Sequence, residues 1–188
     1  MLNLDPIWMA DNQQANFRLL LDAMARPGQC HSLVVTPEKG PAVLALLATL
    51  LDAEVSLADP DELLHKDDWP MLQVQSAHAK QADYVLCDGR FAPNFTPKSG
   101  TLPSPDLSAT LILVVAAIGD CHSEENTSLQ LTGPGIANSN TVLIKGLENQ
   151  WLEMRKDWVC DFPLGVDLIL VDEKQMVALP RTTKVEII

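Results

Sequence analysis

The sequence predicts an α/β fold, a three-layer α/β sandwich built around a mixed sheet. Helical and extended patterns are interspersed along the whole chain, which favours this class over an all-helical or an all-strand fold. The segment 110–117 is a continuous run rich in β-branched residues and leucine, typical of a central strand covered on both faces. Two further apolar segments, 166–171 and 176–179, are separated by a short polar turn and predict a pair of strands.

The first helix is predicted from capping signals and an apolar pattern. Asp11 followed by Gln14 resembles an N-cap with its capping-box partner. The apolar positions after them form a surface broader than one stripe, so the helix is expected to pack on two sides. The segment 26–28, Arg-Pro-Gly, ends the helix because proline cannot continue helical hydrogen bonding and glycine tolerates a positive φ.

The rest of the chain predicts shorter elements and one long loop. A second helix covers about residues 41–51; it is apolar on nearly all sides and is expected to be buried. Residues 91–107 include four prolines and predict a long surface loop. The remaining segments are predicted as strands at 54–57, 84–87 and 129–131 and as helices at 60–64 and 148–158.

Length and composition indicate one folded domain that spans residues 1–188. The chain is 47% hydrophobic and 20% charged, which is typical of a globular protein. Its longest apolar run, 111–118, is too short to cross a bilayer, and the N-terminal residues lack the features of a signal peptide. We therefore expect a cytoplasmic protein that does not insert into membranes.

The net charge of −12, with a sequence pI near 4.5, disfavours binding to nucleic acids and to anionic membranes. A small anionic ligand would need a local cluster of positive charge. The arginines from which such a cluster could form are Arg18, Arg26, Arg90, Arg155 and Arg181.

The four cysteines are widely spaced, form no Cys-x-x-Cys pair and are predicted to be reduced thiols. Two of them precede histidines, as Cys30-His31 and Cys121-His122, which raises the question of a metal site. Neighbouring residues on a strand point to opposite faces, and zinc ligands are usually separated by about two to four residues, so ordinary thiols and histidines are favoured. None of the eight lysines has a context typical of a cofactor Schiff base. We therefore predict neither a bound metal nor a resident cofactor.

The strongest candidate for ligand contact is the segment Pro-Arg-Thr-Thr at 180–183. Arg181 offers a guanidinium fork, and Thr182 and Thr183 offer hydroxyl donors, a combination suited to phosphonate or phosphate oxygens. Asp167, at the start of an otherwise apolar strand, needs a partner or a polar cleft because an unpaired buried carboxylate is costly. The alternative is that Arg181 pairs with Asp167 or with a partner subunit. Arg26 either binds the ligand as well or only complements the dipole of the first helix.

Two further patterns bear on catalysis. The segment 132–136, Thr-Gly-Pro-Gly-Ile, follows a strand, but its proline removes a backbone donor that a phosphate-binding loop would use. A tight turn is therefore favoured. The histidines, serines and cysteines form no recognisable nucleophile–base signature, so the residues alone assign no catalytic group.

Several blocks of the sequence carry a resemblance to a known family. They lie at 17–28, 100–113, 131–137, 162–170 and 178–186. In order and spacing the blocks cover almost the whole chain, and the C-terminal pair is specific. With these blocks the chain resembles the PhnH subunit family of bacterial carbon–phosphorus lyase. One departure is Ser108, where the family usually has glycine.

The resemblance implies a fold related to that of pyridoxal-phosphate-dependent transferases, without the lysine that binds the cofactor. It also implies a homodimer that joins the G, I and J subunits in a core complex. In the pathway that it implies, a phosphonate displaces adenine from ATP and gives a ribose 1-phosphonate 5′-triphosphate. A radical iron–sulfur subunit later cleaves the carbon–phosphorus bond.

Three hypotheses follow for the chain itself. It is a non-catalytic subunit that organises the complex, which agrees with the lack of a nucleophile signature. Alternatively, it binds phosphonate or ATP through Arg181, Thr182 and Asp167, which agrees with the hydroxyl-rich segment beside a lone carboxylate. The third hypothesis is a degenerate pyridoxal-phosphate enzyme.

Overall fold

The computed structural model describes residues 5–34, 37, 41–119 and 126–188. Helices in these ranges are α1 (Ala10–Ala25), α2 (Val43–Leu50), α3 (Asp68–Leu72) and α4 (Gln150–Trp158). The strands are β1 (His31–Ser32), β2 (Ser56–Ala58), β3 (Gln75–Ser76), β4 (Tyr84–Asp88), β5 (Thr110–Val114), β6 (Ala117–Ile118), β7 (Asn126–Thr132), β8 (Asn140–Lys145), β9 (Asp167–Val171), β10 (Gln175–Leu179) and β11 (Lys184–Ile187). None of the helices in the described ranges has both the length and the apolar character needed to span a bilayer.

The described strands form two sheets. The larger, seven-stranded sheet has the order β1-β10-β9-β5-β4-β2-β3. In it β3, β2, β4, β5 and β9 run parallel, whereas β10 and β1 are antiparallel to their neighbours. The smaller sheet is antiparallel, in the order β11-β7-β8-β6. The predicted α/β class and mixed sheet are confirmed, and the second sheet is an addition that the sequence patterns did not indicate.

The larger sheet is the middle layer, and its central strands alternate between two cores. In β5, Leu111 and Leu113 pack in a core shared with the smaller sheet and α4, whereas Ile112 packs in a core shared with α1, α2 and α3. The strand β9 alternates in the same way. The prediction of a central strand covered on both faces is confirmed for residues 110–114, after which the chain passes into the smaller sheet at β6.

The helix α1 begins differently from the sequence-based expectation. Its N-cap is Met9, which makes no side-chain capping bond, and Asp11 lies in the first turn, so the predicted cap at Asp11 is wrong. The helix ends where expected, and Gly28, just beyond the end, has a positive φ of 82°. The helix packs against both α2 and β10, but Phe17 and Leu21 are 42% and 53% exposed, so part of its broad apolar surface is not covered within this chain.

The other helices confirm two predictions and correct one. The helices α2 and α4 lie where helices were predicted, and α2 is buried along most of its length, as its apolar sequence indicated. The predicted helix at 60–64 is wrong, because the Asp59 carboxylate accepts the N–H groups of Leu63 and Leu64, at 3.0 and 2.9 Å, and the segment folds into turns. The helix of this region is α3, which lies further along the chain and was not predicted.

Two predicted non-helical segments have the expected form. Residues 91–107 form a long loop that contains a 3₁₀ turn at its end, Pro105–Leu107. The segment 132–136 is a tight turn, closed by a hydrogen bond of 3.2 Å from the Ile136 N–H to the Gly133 carbonyl oxygen. Both expectations are confirmed.

The tight turn joins two segments that are distant in sequence. A β-carbon added at Gly133 would lie 2.9 Å from the Thr182 carbonyl oxygen. A β-carbon added at Gly135 would overlap the carbonyl oxygen of Ala25, the last residue of α1. The turn is therefore packed between the end of α1 and the segment 180–183, and only glycine leaves room for this contact.

We predict that Gly135→Ala destabilises the chain strongly. Gly135 has a φ of +82°, a region that costs an L-residue about 1–2 kcal/mol, and the added β-carbon also overlaps the backbone of Ala25. Gly119→Ala is the matched control, because Gly119 has a φ of +92° but a β-carbon there meets no atom of the described residues within 4 Å. In urea unfolding, Gly135→Ala should lose at least about 1 kcal/mol more than Gly119→Ala. Equal losses would contradict the tight packing of this turn.

Candidate functional site

Arg181 holds several segments of the chain through its guanidinium group. A guanidinium group has five N–H donors, and those of Arg181 all have acceptors within the chain. Nε and Nη2 donate to the two oxygens of Asp167, at 3.4 and 2.7 Å. Nη1 donates to the carbonyl oxygens of Pro105 and Pro163, at 2.9 and 3.3 Å, and Nη2 also donates to Ser108 Oγ. The group therefore has no N–H left for a ligand.

Asp167 neutralises Arg181 inside the protein. It is the first residue of β9, and its side chain is 15% exposed, compared with 17% for that of Arg181. Besides the guanidinium group, the carboxylate accepts the backbone N–H of Arg181 at 2.7 Å. Of the arrangements that the sequence left open for Asp167, the structure has the paired one, with an arginine side chain and a backbone amide as partners.

The pair and its acceptors, which we call the Arg181 clamp, connect elements that are far apart in sequence. Pro105 and Ser108 lie at the turn before β5, and Pro163 lies between α4 and β9. Ser108 is also a position at which the resemblance described above leads us to expect glycine. Its hydroxyl accepts a hydrogen bond from Arg181 that a glycine could not accept through a side chain.

Arg155 is more deeply buried than Arg181, and its surroundings differ. It lies in the last turn of α4, is 2% exposed, and donates to the carbonyl oxygens of Thr183 and Pro180 at 3.1 and 2.6 Å. Among the described residues no carboxylate forms an ion pair with it, and its Nε has no hydrogen-bond partner. Burial lowers the pKa of Arg155 to about 10, although the charge of Asp167 acts in the opposite direction. The interior thus holds a guanidinium charge with only carbonyl oxygens bonded to it.

Arg155 was not singled out from the sequence beyond its place among the arginines, although a signal was present. The buried residues of α4 are Trp151, Leu152, Arg155 and Trp158. Their spacing is that of the apolar face of a helix, so a charged residue falls where an apolar one is expected. Such a position indicates a buried partner or a functional role, because a buried charge is costly without one.

Arg155 lines an open cleft of about 560 Å³ between α4 and the residues that lead into β11. We call it the α4 cleft. Its charged lining residues are Arg155, Lys156, Arg181, Lys184 and Glu186. Because Asp167 neutralises Arg181, the cleft retains three cations against one carboxylate, on a chain whose net charge is −12.

Thr182 and Thr183 line the same cleft. Thr182 is exposed, whereas Thr183 is 2% exposed and its hydroxyl has no hydrogen-bond partner among the described residues. The Thr183 N–H donates to the Pro180 carbonyl oxygen at 2.9 Å and closes the turn at 180–183. The predicted site residues Arg181, Thr182, Thr183 and Asp167 therefore lie together, with the two threonines at the cleft.

Arg26 is not among the residues that line the α4 cleft. Its Nη1 lies 3.1 Å from the carboxylate of Asp22, one helical turn earlier, and its side chain is 58% exposed. A cation and an ion pair of this kind are expected at the C-terminal end of a helix. The structure therefore separates Arg26 from the other predicted site residues.

None of the described cysteines lines the α4 cleft. Among the described residues, no group of three or more His, Cys, Asp and Glu side chains is suited to hold a metal ion. In the pair Cys30-His31 the cysteine is exposed, and Cys121-His122 lies outside the described residues. Burial, and to a smaller extent nearby aspartates, raise the pKa of the Cys87 thiol far above its ordinary value, so this thiol stays protonated.

Comparisons with known proteins cover nearly the whole chain. The family model described as "Bacterial phosphonate metabolism protein (PhnH)" matches residues 7–186. The C-P lyase subunit protein HtxG of Stutzerimonas stutzeri is 39% identical over 181 residues, which are 96% of this chain and 89% of that protein. The alpha-D-ribose 1-methylphosphonate 5-triphosphate synthase subunit PhnH of Rhizobium meliloti (strain 1021) is 33% identical over 200 residues, which are 97% of this chain and 92% of that protein.

We predict that Arg181→Met lowers the free energy of unfolding by about 3–5 kcal/mol, because it leaves the Asp167 carboxylate buried without its cation. The double variant Arg181→Met/Asp167→Leu removes both charges and should lose less than the sum of the single losses. Urea denaturation of the wild type, the two single variants and the double variant measures this coupling.

The matched control is Arg26→Met, which removes the same side chain from an exposed ion pair and should cost about 1 kcal/mol or less. A loss for Arg181→Met that is no larger than the loss for Arg26→Met would contradict the clamp.

Proposed function

The chain belongs to the PhnH family of bacterial phosphonate metabolism proteins, and we propose that it acts as a subunit of the carbon–phosphorus lyase core complex. In this role it supports the transfer of an alkylphosphonate to the ribose of ATP with release of adenine. With methylphosphonate, the product of that step is the compound for which the Rhizobium synthase is named.

The observation that carries this proposal is the extent of the family match. The matched residues, 7–186, contain the helices α1 to α4, the Arg181 clamp and the α4 cleft, so the likeness extends well beyond one motif. Both relatives align over most of their own length, and their names designate subunits of larger enzymes. Transferase and lyase activity would therefore belong to the complex, and the isolated chain is expected to be inactive.

We propose that the segment 180–183 handles the phosphonate or ATP. Thr182 and Thr183 supply hydroxyl donors at the α4 cleft, while Arg181 and Asp167 hold the segment in position. The internal bonds of Arg181 support this division of roles, since a ligand would have to displace one of them to reach the guanidinium group.

We propose that the chain forms a homodimer and binds the G, I and J subunits in the cytoplasm. Exposed apolar side chains offer surface for such contacts, notably Phe17 and Leu21 on α1 and Leu107 and Phe162 beside the Arg181 clamp. Arg26 lies at the end of α1, where its exposed guanidinium group can meet a ligand or a neighbouring subunit.

A related proposal concerns ancestry. The largely parallel seven-stranded sheet is compatible with a fold related to pyridoxal-phosphate-dependent transferases, without a cofactor-binding lysine. A visible absorption band after addition of pyridoxal phosphate would support the degenerate-enzyme hypothesis instead.

The Arg181 clamp favours a second candidate function, a non-catalytic assembly subunit with no ligand site of its own. Arg181 is the residue best suited to bind a phosphonate, but its N–H groups donate to acceptors within the chain. In this case the clamp serves only to present a rigid surface to the other subunits. The two candidates differ in whether the threonines at the cleft affect the reaction.

We predict that a reconstituted complex releases adenine from ATP and methylphosphonate only when this chain is present. Thr182→Val should join the complex as the wild type does but slow adenine release by about tenfold or more, because a hydroxyl bond to an anion is lost. Thr141→Val, at an exposed threonine of β8, is the matched control and should leave the rate unchanged.

The outcomes separate the two candidates. Normal adenine release by a complex that contains Thr182→Val would favour the assembly subunit. Adenine release at the full rate without this chain would contradict the proposed function altogether.

A further inference from the structure

The α4 cleft concentrates positive charge on an acidic chain. Arg155 is buried against it, and Lys156 and Lys184 are exposed lining residues. They come from two different elements, α4 and β11, which the fold brings together. Glu186 is the single acidic side chain among the described residues that line the cleft.

Helix geometry accounts for only part of this charge. Arg155 and Lys156 lie in the last turn of α4, where cations complement the helix dipole. That effect is modest, whereas burial of a guanidinium group without a bonded anion is costly. The dipole of α4 also does not explain Lys184, because this residue begins β11 and is not part of the helix.

Two buried polar groups beside the cleft have no hydrogen-bond partner in the described part of the chain. Arg155 Nε and Thr183 Oγ1 lack hydrogen-bond partners among the described residues, and each residue is 2% exposed. Most buried polar groups in native proteins are hydrogen-bonded, so two unsatisfied groups at one basic cleft indicate a site adapted to ligand oxygens. Among the described residues only carbonyl oxygens accept from Arg155, so no anion is bonded directly to its charge.

We infer that the α4 cleft binds a phosphoryl or phosphonyl dianion carried on a larger molecule, with Arg155 as the buried counter-charge and Lys156 and Lys184 as its exposed cations. The inference rests on the proposed function for the class of ligand. The proposed binding site therefore comprises the segment 180–183 and three cations that lie outside this segment.

Charge and size agree with this ligand. The cleft has a net charge of about +2, because three cations face one carboxylate. The cations are Arg155, Lys156 and Lys184, and the carboxylate is that of Glu186. The cleft volume of about 560 Å³ falls within the roughly 300–1,000 Å³ typical of small-molecule sites, so a dianion fills only part of it. Apolar walls for the rest of the molecule come from Leu152, Val159, Phe162 and Val185.

Isothermal titration calorimetry of the full chain tests the inference, with methylphosphonate, tripolyphosphate and ATP as separate ligands. At about pH 8 and low ionic strength, the terminal group of each ligand is largely dianionic. We expect binding of at least one ligand, and at least about tenfold weaker binding to Lys156→Gln/Lys184→Gln. The charge-matched control is Lys80→Gln/Lys174→Gln, which removes two exposed lysines that do not line the cleft and should change the affinity less than about twofold.

Thr183→Val provides a second, independent measurement. It removes a buried hydroxyl that has no partner, so the melting temperature should stay the same or rise. Anion binding should nevertheless weaken severalfold, because the ligand loses a donor. A threonine with a purely structural role would show no such loss of affinity.

The pattern of binding identifies the source of the group. Methylphosphonate alone indicates a phosphonate site, whereas tripolyphosphate and ATP indicate a site for a nucleotide's phosphate chain. Absence of heat with all three ligands, or equal weakening in the two lysine double variants, would overturn the inference. The titration uses the isolated chain, so its failure is distinguishable from a failure of adenine release by the complex.

Discussion

A guanidinium group that is largely withdrawn from water must find acceptors for its N–H groups, and the way in which Arg181 does so organises the C-terminal half of the protein. The acceptors come from the start of β9, from the turn before β5 and from the segment between α4 and β9. Since these segments are distant in sequence, a single side chain links the central parallel strands to the turn at 180–183. That turn also packs against the tight turn at 132–136 and forms one wall of the α4 cleft.

Arg181 and Arg155 differ in a way that relates structure to function. Arg181 has a carboxylate partner and a full set of acceptors, so its charge is balanced within the chain. Arg155 is more deeply buried and bonds only to carbonyl oxygens, so its charge is solvated but not balanced. A charge that folding leaves unbalanced is available to a ligand, whereas a balanced one holds the structure. Arg181, the arginine that the sequence analysis favoured for ligand contact, thus has a structural role. Arg155, which that analysis did not single out, lines the candidate ligand site.

Patterns of local origin were readable from the sequence, and pairings between distant segments were not. The apolar run at 110–117 predicted a strand covered on both faces, because side chains alternate with a period of two whatever their distant neighbours are, and β5 occupies residues 110–114 of that run. The strand β11 was not predicted, since its pairing with β7 joins Val185 to Leu131 across more than fifty residues and buries only one of its side chains. The contacts of Arg155 and Ser108 were not predicted for the same reason, because their partners are brought close only in the folded chain.

The division of roles between the two arginines is tested most directly by a crystal structure of the chain soaked with tungstate, a heavy oxyanion with the shape of phosphate. We expect tungstate in the α4 cleft, within hydrogen-bond distance of Arg155 or of the lysines beside it, with the bonds between Arg181 and Asp167 unchanged. Tungstate bound to Arg181 with Asp167 displaced, or an empty cleft at tungstate concentrations that label other cationic sites, would contradict the account.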